Sequence, residues 1–229
     1  MKRSLFVIVL FFCSSTALAA DFYTALTAYS QGDFRTAFDE FKILAEEGEI
    51  NSQFAIAIMY DEGQGVSQDH TQAAHWYRKA AAQGHRKAQY NLAFAYDKGE
   101  GVEQDSAEAI KWYRKAAAQG LPEAQFTLGV QYDEGINTAP DLAEAVKWYR
   151  LAAEQGHLDA QNNLGFMYAQ GRGVPLDRVQ AYAWLNMAAE GGNEAAKMNR
   201  VLIKDEMTPD ELEEGNKLAS EFAEKYPKK

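Results

Sequence analysis

The sequence predicts an all-α chain built from repeated helix–turn–helix units, and three observations carry that prediction. The first is a period of 36: Tyr60, Tyr96, Tyr132 and Tyr168 fall in register, as do Trp76, Trp112, Trp148 and Trp184. Gly63, Gly99, Gly135 and Gly171 follow the tyrosines by three, and Gly84, Gly120, Gly156 and Gly192 follow the tryptophans by eight. Self-similarity at such a period marks units that stack because none can bury its apolar face alone. The second is helical periodicity within a copy: Ala109, Trp112, Tyr113, Ala116 and Ala117 recur at i, i+3, i+4, i+7 and i+8, one face of an amphipathic helix. The third is punctuation. Asp69, Asp105, Asp141 and Asp177 each stand three residues before Gln72, Glu108, Glu144 and Gln180, the spacing of a capping box with aspartate as the cap, and the Gly84 series suits the left-handed residue past a helix end.

Taken in order, the first element is a leader over residues 1–20. MKRSLFVIVLFFCSSTALAA has a basic start (Lys2, Arg3), an apolar run from Leu5 to Phe12 and small residues before Asp21, the grammar of a cleaved secretory signal. The run falls short of the ~20 apolar residues that span a bilayer, so no stable membrane insertion is expected after cleavage at Ala19 or Ala20. Cys13, the only cysteine, lies inside the leader, and Phe12 stands where a lipoprotein signal has a small residue. The mature chain therefore carries neither disulfide nor thiol nucleophile, and a periplasmic or secreted location is expected. The formal charge of −10 becomes −12 without Lys2 and Arg3, which argues against nucleic acid or an anionic membrane as partner.

The next element, residues 21–50, reads as a looser hairpin: Tyr29, Gly32, Asp33, Phe34 and Ala37 precede Phe41 and Leu44, with a shorter connection than in later copies. Four full copies occupy residues 52–192. In each, a first helix (Ala88, Leu92 and Tyr96 on one face) is followed by a turn and then the helix that bears the tryptophan, which is expected to be buried between helices. Beyond Gly192, Arg200 and Lys204 replace the core leucine and tyrosine, and Thr208-Pro209-Asp210-Glu211 opens a last helix with Leu212, Ala219, Phe222 and Tyr226 on its apolar side. Residues 193–229 thus read as a capping end, which stacked repeats need to keep the terminal apolar surface from water.

The pattern A-x-x-x-L-x-x-x-Y-x-x-G-x-G-V-x-x-D-x-x-x-A-x-x-W-Y-x-x-A-A-x-Q-G, clearest from Ala88 to Gly120, resembles the Sel1-like repeat, a relative of the tetratricopeptide repeat. The 21–50 segment is similar to an ordinary tetratricopeptide hairpin. This resemblance implies one right-handed α-solenoid of five helical hairpins with C-terminal capping helices, and non-enzymatic adaptors that bind proteins or peptides, in envelope assembly, signalling regulation or contact with host proteins.

The glycine turns, YDEGQGVSQD at 60–69 and YDKGEGVEQD at 96–105, pose a chemical question, because glycines among acids could cradle phosphate or calcium. A dinucleotide cradle should follow a strand, whereas this turn follows a helix, and Gln68 stands where the third glycine belongs. A calcium loop needs a bidentate acid at its twelfth place, and the third copy, DEGINTAPD, loses its second glycine. The turns read as interhelical connections. Neither S-x-x-K nor G-x-S-x-G occurs, His70 and His75 lie on different faces of one helix, and His85 and His157 read as packing residues, so no catalytic set, cofactor or metal site is expected.

What remains is surface. With Leu92 at the centre of the core face, Lys87, Tyr90, Phe94, Asp97 and Lys98 fall on the opposite side of the first helix; the equivalents are Phe54, Ile58 and Asp61, then Phe126, Val130 and Asp133, then Asn162 and Phe166. In tetratricopeptide-like solenoids this side lines the concave groove, so the resemblance places a partner-binding ladder there. The alternative is that it packs on a neighbouring repeat. Asp61, Glu62, Asp97, Glu123, Asp133, Glu134 and Asp159 outnumber Lys87 and Lys98 along it, so a partner with apolar and basic residues is expected. Three other readings stand beside the adaptor: a cell-wall or β-lactam-directed hydrolase, a secreted factor that binds host protein, and a spacer whose ladder is fully packed.

Overall fold

The computed structural model describes residues 15–226, with side chains from Phe22 onward; residues 1–14 of the expected leader lie outside the described residues. Twelve helices make up its regular structure among the described residues: α1 Ser15–Ser30, α2 Phe34–Glu46, α3 Ile50–Glu62, α4 His70–Ala82, α5 Arg86–Lys98, α6 Ser106–Ala118, α7 Pro122–Glu134, α8 Leu142–Ala153, α9 Leu158–Gln170, α10 Arg178–Glu190, α11 Glu194–Asp205 and α12 Pro209–Lys225. They fall into two compact units, the first ending at His85 and the second beginning at Arg86.

In the first unit α1 pairs with α2 and α3 with α4, and α2 packs on α3. In the second, α5 pairs with α6, α7 with α8 and α9 with α10, while each second helix also packs on the next first helix, the succession of an α-solenoid. The aspartates cap as expected, but the reciprocal half of the box does not form, since Glu108 accepts from Lys111 and Trp112 and Glu144 from Lys147. Asp69, Asp105 and Asp141 each accept from the backbone N–H groups of the second and third residues that follow, and Asp177 from Gln180. The same aspartates donate their own N–H to the carbonyls of Tyr60, Tyr96, Tyr132 and Tyr168, which closes each interhelical turn.

The core repeats with the sequence. Ala88 and Leu92 of α5 are fully buried, as are Ala109, Tyr113, Ala116 and Ala117 of α6. Within each unit, buried glutamines clip α3, α7 and α9 to the preceding second helix: Gln53, Gln125 and Gln161 donate to the carbonyls of Ala45, Ala117 and Ala153. Gln83, Gln119 and Gln155 in turn donate to Gln53, Gln89 and Gln125. In the last copy Gly191 takes the place of that donor, and Oε1 of Gln161 has no partner among the described residues.

One expectation is corrected. Of the tryptophans, Trp76 and Trp184 are buried, but Trp112 and Trp148 are only half-buried, and it is the following Tyr113 and Tyr149 that lie wholly inside. The Trp112 indole runs along the outside of α6, donates to Glu108 at 3.0 Å and lies under the Lys115 ammonium. Trp184 is buried because α12 turns back along α10 and lays Phe222 and Tyr226 on it, with ring centroids 4.4 and 5.8 Å away. The C-terminal cap is therefore asymmetric. α11 continues the series of first helices, and α12 covers α10 rather than completing a hairpin with α11.

Candidate functional site

The candidate face is carried by first helices, and each of its residues can now be placed. Phe54, Tyr90 and Phe126 are half-buried: each ring leans on the tyrosine of its own hairpin's second helix, Tyr77, Tyr113 and Tyr149, at 6.0, 5.5 and 5.9 Å. Phe54 also stacks on His85 at 4.3 Å and Phe126 on His157 at 4.5 Å. One turn further on, Ile58 and Val130 are half-buried, while Phe94 and Phe166 stay 41% and 37% exposed. Asn162 accepts from Asn199 of α11 at 2.9 Å.

The aspartates of the set behave differently from the rings. Asp61 accepts from the Tyr77 hydroxyl at 3.2 Å and pairs with Nδ1 of His70 at 2.8 Å. Asp97 is held by Asn137 of the following turn, and Asp133 by Arg172 at 2.7 Å and the Tyr149 hydroxyl at 3.4 Å. The Asp97 and Asp133 side chains are only 12% and 15% exposed, so they fasten one repeat to the next and are not free rim charges. Burial, reinforced by Asp97 and Asp133, pushes the Tyr113 and Tyr149 phenols above their ordinary range, which keeps them protonated as donors. The acids left at the surface are Glu62, Glu123, Glu134 and Asp159.

Sequence reasoning stopped the ladder at Phe166, but α11 extends it. Met198 and Leu202 stand 36 residues after Asn162 and Phe166, and each is 65% exposed. The signal was register alone, obscured because Arg200 and Lys204 interrupt the core pattern of that helix. Leu202 and Phe166 line a crevice of about 170 Å³ with Leu185 and Ile203. In the first unit, Phe54 and Ile58 line a crevice of about 250 Å³ with Phe22, Leu26, Tyr29 and Phe41. Among the described residues no group of three His, Cys, Asp or Glu is placed to hold a metal, and no helix is long and apolar enough to cross a membrane.

The Sel1 repeat model matches four consecutive segments, residues 50–85, 86–121, 122–157 and 158–193. The chain belongs to the Sel1 repeat family. Each matched segment runs from the start of a first helix to the residue just before the next first helix, one hairpin of the fold. Among solved structures, a Sel1 repeat protein from Oxalobacter formigenes is 33% identical, with 88% of this chain and 82% of that one covered and a TM-score of 0.75. The protective antigen c5321 of uropathogenic Escherichia coli strains, which displays the same repeat fold, is 28% identical with a TM-score of 0.52; 91% of this chain matches 61% of that one. MamA is 20% identical at a TM-score of 0.50 and shares the fold. No curated protein matches the chain. Sel1 repeats are commonly scaffolds for protein–protein interaction.

Proposed function

We propose that this Sel1 repeat protein is an exported, non-enzymatic adaptor that binds a protein or peptide partner in the groove lined by first helices α5, α7 and α9 of its second unit. The observation that carries this reading is the pair Phe94 and Phe166, two large aromatic side chains in register that stay more than a third exposed on α5 and α9. Large apolar side chains left in water at repeating positions mark a surface that another molecule covers. The leader grammar of residues 1–20 supports export, and on this reading the adaptor acts in a bacterial periplasm, in envelope assembly or signalling regulation. The exposed acids Glu123 and Glu134 beside the ladder favour a partner with lysine or arginine among its apolar anchors.

The test is capture from envelope extract with the tagged protein, beside a Phe94→Ala/Phe166→Ala variant whose helicity is checked by circular dichroism. The parent should retain a partner that the variant loses about ten-fold or more. Equal retention by a folded variant would move the interaction to another surface. A Glu123→Lys/Glu134→Lys variant should slow association and weaken its salt dependence, because exposed charges steer encounter over the ~8 Å Debye length. Neither protein should turn over nitrocefin; turnover abolished by one substitution would replace the adaptor with a hydrolase.

A further inference from the structure

We infer that the crevice between α1 and α3 is a docking pocket for one bulky apolar side chain of a peptide segment that also carries lysine or arginine. This rests on the adaptor reading above and adds a site where the N-terminal hairpin α1–α2, which lies outside the family match, meets α3, the first helix inside it.

The walls come from two first helices and the second helix behind them. Phe22, Leu26 and Tyr29 of α1 face Phe54, Ala55 and Ile58 of α3, with Phe41 of α2 as the floor. Phe41 is buried and sits 5.6 Å from the Phe22 ring, so the floor is part of the core and does not yield. The crevice holds about 250 Å³. A dry cavity of ~150 Å³ lined by such side chains admits benzene, so this one has room for a benzyl or isobutyl group. Leu26 is 44% exposed and Tyr23, three residues before it, 66% exposed, so apolar surface continues outward from the mouth.

Charge decides the class of occupant. Neither α1 nor α3 contains a lysine or arginine; their charged residues are Asp21, Asp61 and Glu62. Of the two polar side chains in the lining, Tyr29 donates its hydroxyl to Gln64 at 2.6 Å, and Asn51 donates its amide to the Glu49 carboxylate at 3.0 Å, which holds that acid beside the crevice; Glu46 and Glu47 precede it in the same turn. Residues 21–85 contain ten acids and four bases, a net of −6. A second copy of this acidic chain would bring like charge to the site. A segment with a bulky apolar residue next to lysine or arginine supplies what the pocket and its rim lack.

The probe is a fluorescein-labelled amphipathic peptide of roughly twelve residues, made of leucine and lysine with one central phenylalanine, titrated by anisotropy. Its counterparts replace every lysine by glutamate or every apolar residue by serine. The lysine peptide should bind, and both counterparts should bind about ten-fold more weakly or worse. Ala55→Trp, which fills the crevice, should weaken the lysine peptide by about ten-fold, and Leu26→Ser at the exposed mouth by a smaller factor, while Phe94→Ala/Phe166→Ala leaves it bound. If Ala55→Trp fails to fold, Leu26→Ser decides the matter. Crevice variants that bind like the parent, beside a weakened Phe94→Ala/Phe166→Ala, would overturn the pocket and leave the groove standing. A glutamate peptide that binds equally would overturn the charge argument. Binding that no variant changes would overturn both readings.

Discussion

Gly173 and Gly120 have nearly the same backbone, with φ of +69° and +77°, yet their surroundings differ. A Cβ on Gly120 would meet nothing within 4 Å, whereas one on Gly173 would run into the backbone carbonyl of Leu142. Gly120→Ala should therefore cost only the left-handed penalty of ~1–2 kcal/mol, and Gly173→Ala more than ~2 kcal/mol because backbone must also move. Urea unfolding of the two variants reads the difference; equal losses would mean that the turn relaxes freely. In the third copy Asn137 stands at the matching position, with φ of +61°, and its side chain joins Asp97 and Ser106. Asparagine tolerates that region, which explains how the copy lost a glycine and kept its turn.

His157 couples the stack to pH. Burial holds its imidazole below the ordinary range against the opposing pull of Asp159 and Glu123, and Nδ1 accepts from the Ala160 N–H at 3.3 Å as the cap of α9. Protonation would turn that acceptor into a donor. Because the folded value lies below the unfolded one, the stability is present above pH ~6.5 and is lost as pH falls from there through the folded value. His157→Leu, which places the residue of Leu121 at the same register, should lose less melting temperature than the parent between pH ~7.5 and ~5.5. His75, shifted the same way by burial, Lys79 and Arg78, leaves a remainder in both proteins. Identical pH profiles would show that His157 is not the group that titrates.

Among elements, the second helix is organised by its tyrosine more than by its tryptophan. Gly129 of α7 lies directly beneath the Tyr149 ring, and Gly165 of α9 beneath Leu185, so the small residue on one helix matches the large one on the next. Tyr149→Ala should leave a cavity and cost ~3–5 kcal/mol, and Trp112→Ala, whose ring is half in water, roughly half of that. Thermal melts compare the two directly; a larger loss at Trp112 would mean that the outer ring carries the stacking. α12 supplies what the outer tryptophans lack, since Phe222 and Tyr226 shield Trp184 and Tyr226 bonds Glu154 at 3.2 Å.

For the molecule as a whole, export is a proposal that rests on the leader grammar alone. Mass spectrometry of the protein recovered from the envelope should find Ala20 or Asp21 at its N-terminus; Met1 retained on a membrane-bound species would exclude it. The sequence by itself determined the repeat, the aspartate caps and glycine ends of its helices, and the family, because capping aspartates, left-handed glycines and helical spacing act within a few residues of one another. It placed Asp69, Gly84 and Leu92 correctly for that reason. Only the tertiary structure decided which side chains stay in water. The helical wheel put Asp97 and Asp133 beside Phe94 as equals, but partners roughly forty residues away, Asn137 and Arg172, draw the two acids into the stack and leave the ring outside. Likewise Trp112 and Trp184 are identical in pattern, and their difference comes from α12 folding back over α10, since burial depends on what the rest of the chain brings into contact.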